Sequence, residues 1–378
     1  MANILDYIKW RGDLSFVQDP LNEVDALIFS SLSYICYGGS VEEQPADPIK
    51  LRDAAANFFE LIDLDSRLRV KADLELLKLA SQSKRFGDTK ICMYRNLYIP
   101  EQETQFAAMN FLLDDGNMFL AYRGTDYTIT GWKEDFNMTF QQTVPAQRLA
   151  VQYLRDVAME YSCSMYLGGH SKGGNLSVFA ASRCGPMIQS RILTVYNFDG
   201  PGFTDYLMGD PGYLNMVPRI ITLIPQSSVI GLLLEHEEEY NVIQSKTVSI
   251  LQHDPYSWDL MGKSFIRRPE LTENSRFLDA TIKNWFASMT NQERNQLVDV
   301  MFGLLGSGET QMVQDILSPK NLRTYLKTLS SDVNIRKILS SEFSNLLEAA
   351  RKTRMMLEQE QKQENLLEQG SDYIWENT

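Results

Sequence analysis

The sequence predicts an α/β protein: a mostly parallel β-sheet flanked by helices, with a helical flank before it and a helical extension behind it. Three observations carry that reading. Residues 164–181 pass from a short apolar strand, Met165 to Leu167, through two glycines into a helix-forming segment of small and apolar residues, Leu176 to Ala181. Further apolar strands recur downstream with helical or irregular segments between them, which is what parallel pairing requires. Upstream, between Ile91 and Asp126, the hydrophobic period changes to two and β-formers dominate.

Taken in order, the chain opens with amphipathic helices over Glu23 to Tyr37, from Asp47-Pro48 to Phe59, and over Lys71 to Ser81. Cys92 to Ile99, Thr104 to Leu113 and Met118 to Tyr122 read as strands, the last two joined by the turn Asp114-Asp115-Gly116-Asn117. Residues 144–162 form a helix opened by Pro145. Ile192 to Phe198, Arg219 to Ile224 and Thr247 to Leu251 are the strands that follow. From about residue 270 the pattern is helical, with Leu278 to Ser288, Asn291 to Leu304, Gln311 to Leu317 and one long helix over 334–369. Three regions are expected: a helical flank or cap over 1–88, an α/β core over 89–265 and a helical region over 266–378.

Composition bounds the function. The 378 residues carry a formal net charge of −13 and 44% hydrophobic residues, enough for a large core. The acidic balance argues against nucleic acid as a partner. Cys36, Cys92, Cys163 and Cys184 are scattered without metal-ligand spacing, and no metal or organic cofactor is implied. The first residues have no apolar signal segment, and no window is long and apolar enough to span a membrane, so a cytoplasmic location is expected.

Gly169-His170-Ser171-Lys172-Gly173 fits G-x-S-x-G, the nucleophile elbow of α/β-hydrolases. Glycine fills both flanking places because a side chain there would collide with the turn. A serine needs a base to take its proton. Of the three histidines, His170 stands beside the serine and is expected to point away from it. His236 lies in the acidic run Glu235 to Glu239, read as solvated surface, whereas His253 follows an apolar strand in a loop. The order Ser, acid, His leaves Asp199, Asp205, Asp210 and Glu235, Glu237, Glu238 or Glu239 as the orienting acid. Asp199 is preferred because it stands at a strand end before a Gly-Pro-Gly turn, and Asp254 is poorly aimed at its neighbour His253. Oxyanion donors are expected from the backbone N–H of Lys172 and from Gly124-Thr125, where Thr125 offers both its N–H and its hydroxyl. Residues 203–217, with Phe203, Tyr206, Leu207, Met208, Tyr213 and Met216, read either as an apolar lid or as core.

Tyr122-Arg123-Gly124-Thr125 with Trp132 and Asp135, the elbow Gly169 to Gly174, and Asn197-Phe198-Asp199-Gly200-Pro201-Gly202 resemble the corresponding segments of class 3 lipases. Over about residues 1–260 the chain more closely resembles the bacterial Mbeg-like family of α/β-hydrolase-fold proteins. The resemblance is carried by Trp10-Arg11-Gly12-Asp13, Asn22-Glu23-Val24-Asp25, residues 169–175 and Gln252-His253-Asp254. It implies the α/β-hydrolase fold and a serine hydrolase. Three features depart from the lipase pattern. Lys172 replaces an apolar residue after the serine. Ile224 to Val229 lacks the carboxylate that class 3 lipases place there, which favours Asp199, one strand earlier, as in pancreatic-type lipases. The helices after about residue 270 have no lipase counterpart.

The reading is an esterase- or lipase-like serine hydrolase that cleaves carboxylic esters, including lipid-like acyl esters, through an acyl-enzyme. The alternative is a silent scaffold whose C-terminal helices recruit a partner or a second copy.

Overall fold

In the computed structural model, which describes residues 1–41, 47–126, 128–306 and 318–375 with side chains to Gln359, eight strands form one sheet in sequential order. They are β1 (Ile49–Lys50), β2 (Lys90–Ile99), β3 (Thr104–Leu112), β4 (Met118–Tyr122), β5 (Met165–His170), β6 (Ile192–Phe198), β7 (Ile220–Pro225) and β8 (Tyr240–Ile243). The first three pairings are antiparallel and the last four parallel. The helices are α1 (Ile4–Arg11), α2 (Glu23–Leu32), α3 (Leu51–Phe59), α4 (Lys71–Gln82), α5 (Lys84–Gly87), α6 (Ile129–Asn137), α7 (Pro145–Glu160), α8 (Lys172–Arg183), α9 (Pro186–Gln189), α10 (Pro211–Met216), α11 (Glu273–Ala287), α12 (Asn291–Gly306), α13 (Pro319–Ser331) and α14 (Val333–Trp375). This is the α/β-hydrolase fold.

The sheet is covered on both faces, which explains why its central strands are apolar throughout. On β4, Phe119 and Ala121 enter one core while Met118, Leu120 and Tyr122 enter the other, as a period of two demands. The first core receives the N-terminal helices. Phe29 of α2 packs against Phe111, Phe119, Phe16 and Phe86, with ring centroids 4.5–5.8 Å apart. The second core is closed by α7, α8 and α10.

Polar signatures of the N-terminal flank serve this packing. Asn22 caps α2, and Asp25 at its third position closes the capping box. Asp25 is fully buried and meets Arg85 in a two-pronged ion pair at 2.7 and 2.5 Å, while Arg85 also donates to the carbonyls of Leu14, Ser15 and Asp19. The cluster ties α2 to α5 across the region between Gly12 and Pro20.

Three details differ from the sequence reading. The helix expected to reach Tyr37 ends at Leu32, where Ser33 turns the chain, so that Tyr34 leaves the helix axis. Thr247 to Leu251 is no strand: Ser249 is left-handed (φ 53°), and Ser249–His253 forms a 3₁₀ turn whose Ile250 and Leu251 are exposed, as is Val248 before it. The last strand of the eight-stranded sheet lies earlier, at β8, where only Val242 and Ile243 are buried, so the apolar signal is weak; Leu260–Met261 and Ser264–Phe265 form a separate two-stranded antiparallel sheet beyond it. The helix expected over Gln311 to Leu317 lies outside the described residues. The long C-terminal helix is present as α14, and α13, inside the region read as helical but not delimited there, precedes it. Asn284 of α11 donates to Thr353 of α14 (2.9 Å), and Phe302 of α12 packs edge-on against Phe136 of α6. No helix among the described residues is long and apolar enough to cross a membrane.

Candidate active site

Ser171 sits between β5 and α8 with φ 60° and ψ −133°, a left-handed conformation that L-residues rarely adopt. A Cβ on Gly169 would strike the Gly173 carbonyl, and one on Gly173 would strike the Tyr122 carbonyl. That is why both flanking positions are glycine. The Ser171 N–H donates to the Phe198 carbonyl (2.9 Å), which joins the elbow to the residue just before Asp199. The Ser171 hydroxyl is partly exposed and makes no hydrogen bond among the described residues.

Asp199 is itself left-handed (φ 52°) and 1% exposed. Its turn is framed by the Asn197 side chain, which accepts from Gly200 N–H (3.0 Å). Asn175 of α8 is fully buried and donates to the carbonyls of Pro201 and Gly202, fixing the rest of the loop. One carboxylate oxygen of Asp199 accepts from the Ser228 hydroxyl (2.5 Å) and the Gly231 N–H (3.2 Å). The other lies 2.6 Å from His253 Nδ1. With Nδ1–H donating to the carboxylate, Nε2 of His253 carries the lone pair.

The segment around His253 is held at several points. The Gln252 side chain accepts from Ser227 N–H (2.7 Å) and donates to the Thr247 carbonyl (2.7 Å), while the Trp258 indole donates to the Gln252 carbonyl (2.7 Å). His170 adds a fourth hold. Its ring lies 4.4 Å from the His253 ring, and its Nε2 donates to the His253 carbonyl (2.7 Å). A carbonyl can only accept, so the proton is on Nε2, and Nδ1 accepts from the Tyr34 hydroxyl (2.9 Å). Burial above all, then the facing His253 ring and the Arg69 charge, hold His170 well below the usual histidine range, so it stays neutral. The ring expected to point away from Ser171 packs against His253 and hydrogen-bonds to Tyr34 and the His253 carbonyl.

His236 is placed differently. Both its ring nitrogens are engaged, Nδ1 with Glu238 (3.1 Å) and Nε2 with the Gly231 carbonyl (2.9 Å), so neither is free to act as a base. The acidic run is not all solvated surface either. Glu238 is 5% exposed and accepts from Thr222 and Tyr213 (both 2.5 Å), and with His236 beside it these contacts pull its carboxyl down against the effect of burial.

The N–H groups of Lys172 and Thr125 have no acceptor among the described residues. The Thr125 hydroxyl, expected as a further donor, is already given to Asp135 (2.5 Å). Gly124 must be glycine because a Cβ would strike the Tyr34 hydroxyl and the His170 carbonyl. The Lys172 side chain turns inward and is 1% exposed, with Nζ 3.1 Å from the Gln105 carbonyl, the Gln105 side chain and Glu134. Glu134 also accepts from the N–H groups of Gln105 and Ala146. Asp135 Oδ1 lies 3.7 Å from Lys172 Nζ. Burial pushes the Asp135 carboxyl up to about 6 against the pull of Lys172 and the Thr125 bond; Oδ1 itself is covered, although the side chain as a whole keeps 30% of its surface.

Phe203 and Tyr213 do not cover the site. They pack on each other, 5.4 Å apart, in the core beneath α8, with Leu207 and Met216 buried beside them; Met208 packs at the edge of that core and Tyr206 is exposed over Arg183. Phe203, Leu207, Tyr213 and Met216 are thus buried in the core, whereas Leu214 of α10 is left exposed.

Sequence reasoning missed Ser228, Tyr34, Gln252 and the partners of Lys172. Ser228 lies in the very stretch, 224–229, noted for lacking a carboxylate. No group of three or more His, Cys, Asp or Glu side chains among the described residues is arranged to hold a metal. Surface hollows of about 410 and 320 Å³, the first lined by Arg268 and Arg276 and the second by His236 and Lys283, include no residue of the Ser171 cluster.

A sequential sheet with a strained serine between β5 and α8 defines an α/β-hydrolase-fold protein. Residues 80–303, more than half of the chain, match the Mbeg1-like family, and the chain belongs to it. Among solved structures it is similar to M37 lipase (14% identity, TM-score 0.34, covering 56% of this chain and 68% of that one). It is also similar to the Rhizomucor miehei lipase propeptide complex (15% identity, TM-score 0.35, 61% and 78%). No curated protein matches the sequence.

Proposed function

We propose that the protein is a serine hydrolase that cleaves carboxylic esters through an acyl-enzyme. The observation that carries this reading is the 2.6 Å contact between His253 and a buried, doubly supported Asp199, with the His253 ring packed on the residue preceding Ser171. Ser171 is the nucleophile. His253 Nε2 takes its proton as the hydroxyl attacks the ester carbonyl, then returns that proton to the leaving alcohol. Asp199 orients the ring and stabilises the imidazolium formed in each half-reaction. The developing oxyanion is met by the N–H groups of Lys172 and Thr125, at the positive end of α8. Water repeats the sequence on the acyl-enzyme and releases the acid.

The test is hydrolysis of p-nitrophenyl esters from acetate to palmitate by the full chain. Wild-type protein turns over at least part of the series, and Ser171→Ala lowers kcat by about 10⁴-fold or more. Equal rates for the two proteins would remove the serine from the reaction. The chain-length optimum then reports which acyl group fits.

A further inference from the structure

Two arginines beside this cluster donate no side-chain hydrogen bond to any described residue. Arg123 is 6% exposed, and the Arg69 side chain keeps only 11% of its surface. The Nε of Arg123 and both Nε and Nη2 of Arg69 are covered and unpartnered. Covered donors without acceptors are rare in folded proteins, and each calls for an explanation. The carboxylates nearby stand off. Asp254 is 4.0 Å from Arg69 and Asp126 is 3.7 Å from Arg123, and these two acids retain 48% and 33% of their side-chain surface. The other acidic neighbours are engaged elsewhere. Asp73 accepts from the Tyr256 hydroxyl and Val70 N–H, and Asp135 accepts from Thr125 with one oxygen while its other oxygen, covered and without a hydrogen bond, faces Lys172 at 3.7 Å.

Both arginines flank Tyr34. The Arg69 guanidinium lies 4.4 Å over its ring, and Arg123 leads into Gly124, which packs on its hydroxyl. That hydroxyl bonds to His170, next to Ser171, while Asp254 follows His253. Two buried cations with unmet donors therefore stand beside Tyr34, whose hydroxyl bonds to His170, the residue before the candidate nucleophile. The Nε–Nη2 edge of Arg69 is the fork that pairs side by side with two oxygens of a carboxylate or phosphate.

We propose that Arg69 and Arg123 bind an anionic oxygen group, a carboxylate or a phosphate, carried by the substrate of Ser171. The substrate class narrows to esters bearing a negative charge near the scissile bond. Asp126 and Asp254 act as exchangeable counterions that move into solvent when the ligand oxygens take their place. The catalytic part of this proposal rests on Ser171 being the nucleophile, whereas the binding part does not.

The experiment has two arms. In the first, calorimetry on the full chain measures binding of inorganic phosphate and of acetate. Wild-type protein binds at least one of them. Arg69→Gln and Arg123→Gln weaken that binding at least tenfold, and the exposed Arg268→Gln leaves it unchanged. Arg69→Lys keeps charge and stem but loses the fork, so it weakens binding even where Arg69→Gln fails to fold. Tighter phosphate than acetate points to a phosphate-bearing ester, and the reverse to a carboxylate. In the second arm, kcat/KM for the p-nitrophenyl monoester of succinic acid exceeds that for p-nitrophenyl butyrate about tenfold, and the ratio falls toward one in Arg69→Gln. Absence of anion binding, or binding that survives in both Arg69→Gln and Arg123→Gln, overturns the proposal even if neutral esters are hydrolysed. Anion binding without any ester hydrolysis upholds the arginine site and removes the nucleophile instead.

Discussion

Asp199 shows how much a single carboxylate depends on its supports. It holds His253 with one oxygen, and its other oxygen is saturated by Ser228 and Gly231, so the group has no freedom to rotate. Asp199→Asn leaves this shape in place but can present an N–H to Nδ1, which favours the wrong tautomer, and kcat is expected to fall by about 10⁴-fold. Ser228→Ala removes one of the two donors, and kcat/KM is expected to drop about tenfold, the size of one hydrogen bond to a charged group. Steady-state ester kinetics on the two variants check both figures; equal losses would mean that Asp199 acts only by filling space. The pairing of Asp199 with His253 was legible because a strand end and a Gly-Pro-Gly turn flank Asp199. Ser228 was not, because a serine contributed by a different loop leaves no local pattern.

At the scale of elements, the join between α8 and α6 carries a buried charge. Lys172 leaves the elbow, crosses beneath the loop of Thr125 and meets Glu134 and Gln105. Removing one partner of a buried pair leaves the other uncompensated. Lys172→Met is therefore expected to cost about 3–5 kcal/mol in denaturant unfolding, and adding Glu134→Gln to recover a sizeable part of it. Additive losses in the double variant would show that the pair is not coupled. The sequence announced the oddity, a lysine where an apolar residue is usual, but not its direction, which depends on Gln105 of a distant strand. Strands β2 to β7 were readable because their apolar runs and turn residues agree. β8 was not, since half of it is exposed and an acidic run precedes it, and the exposed 3₁₀ turn before His253 passed for a strand because its residues are β-formers.

Over the whole molecule, segments far apart in sequence converge on one sheet edge. The elbow follows β5, Asp199 follows β6, and Ser228 follows β7, all at the carboxyl ends where open parallel sheets place their sites. Tyr34 from the N-terminal flank and His253 from beyond β8 complete the ring of contacts. This convergence was partly visible in advance, because strand order and motif positions put Ser171 and Asp199 at strand ends; the strand read before His253 does not exist, and that residue reaches the site from a 3₁₀ turn instead. The part played by the N-terminal flank was not, because tertiary contacts from Tyr34 or Arg69 have no period. The central claim is that the Ser171 hydroxyl is activated through His253, and active-site titration with a fluorophosphonate tests it most directly. Mass spectrometry should find one adduct per chain, on the peptide containing Ser171, absent in Ser171→Ala and slowed by at least a thousandfold in His253→Ala. A folded wild-type protein that stays unlabelled, or is labelled equally fast without His253, would contradict it.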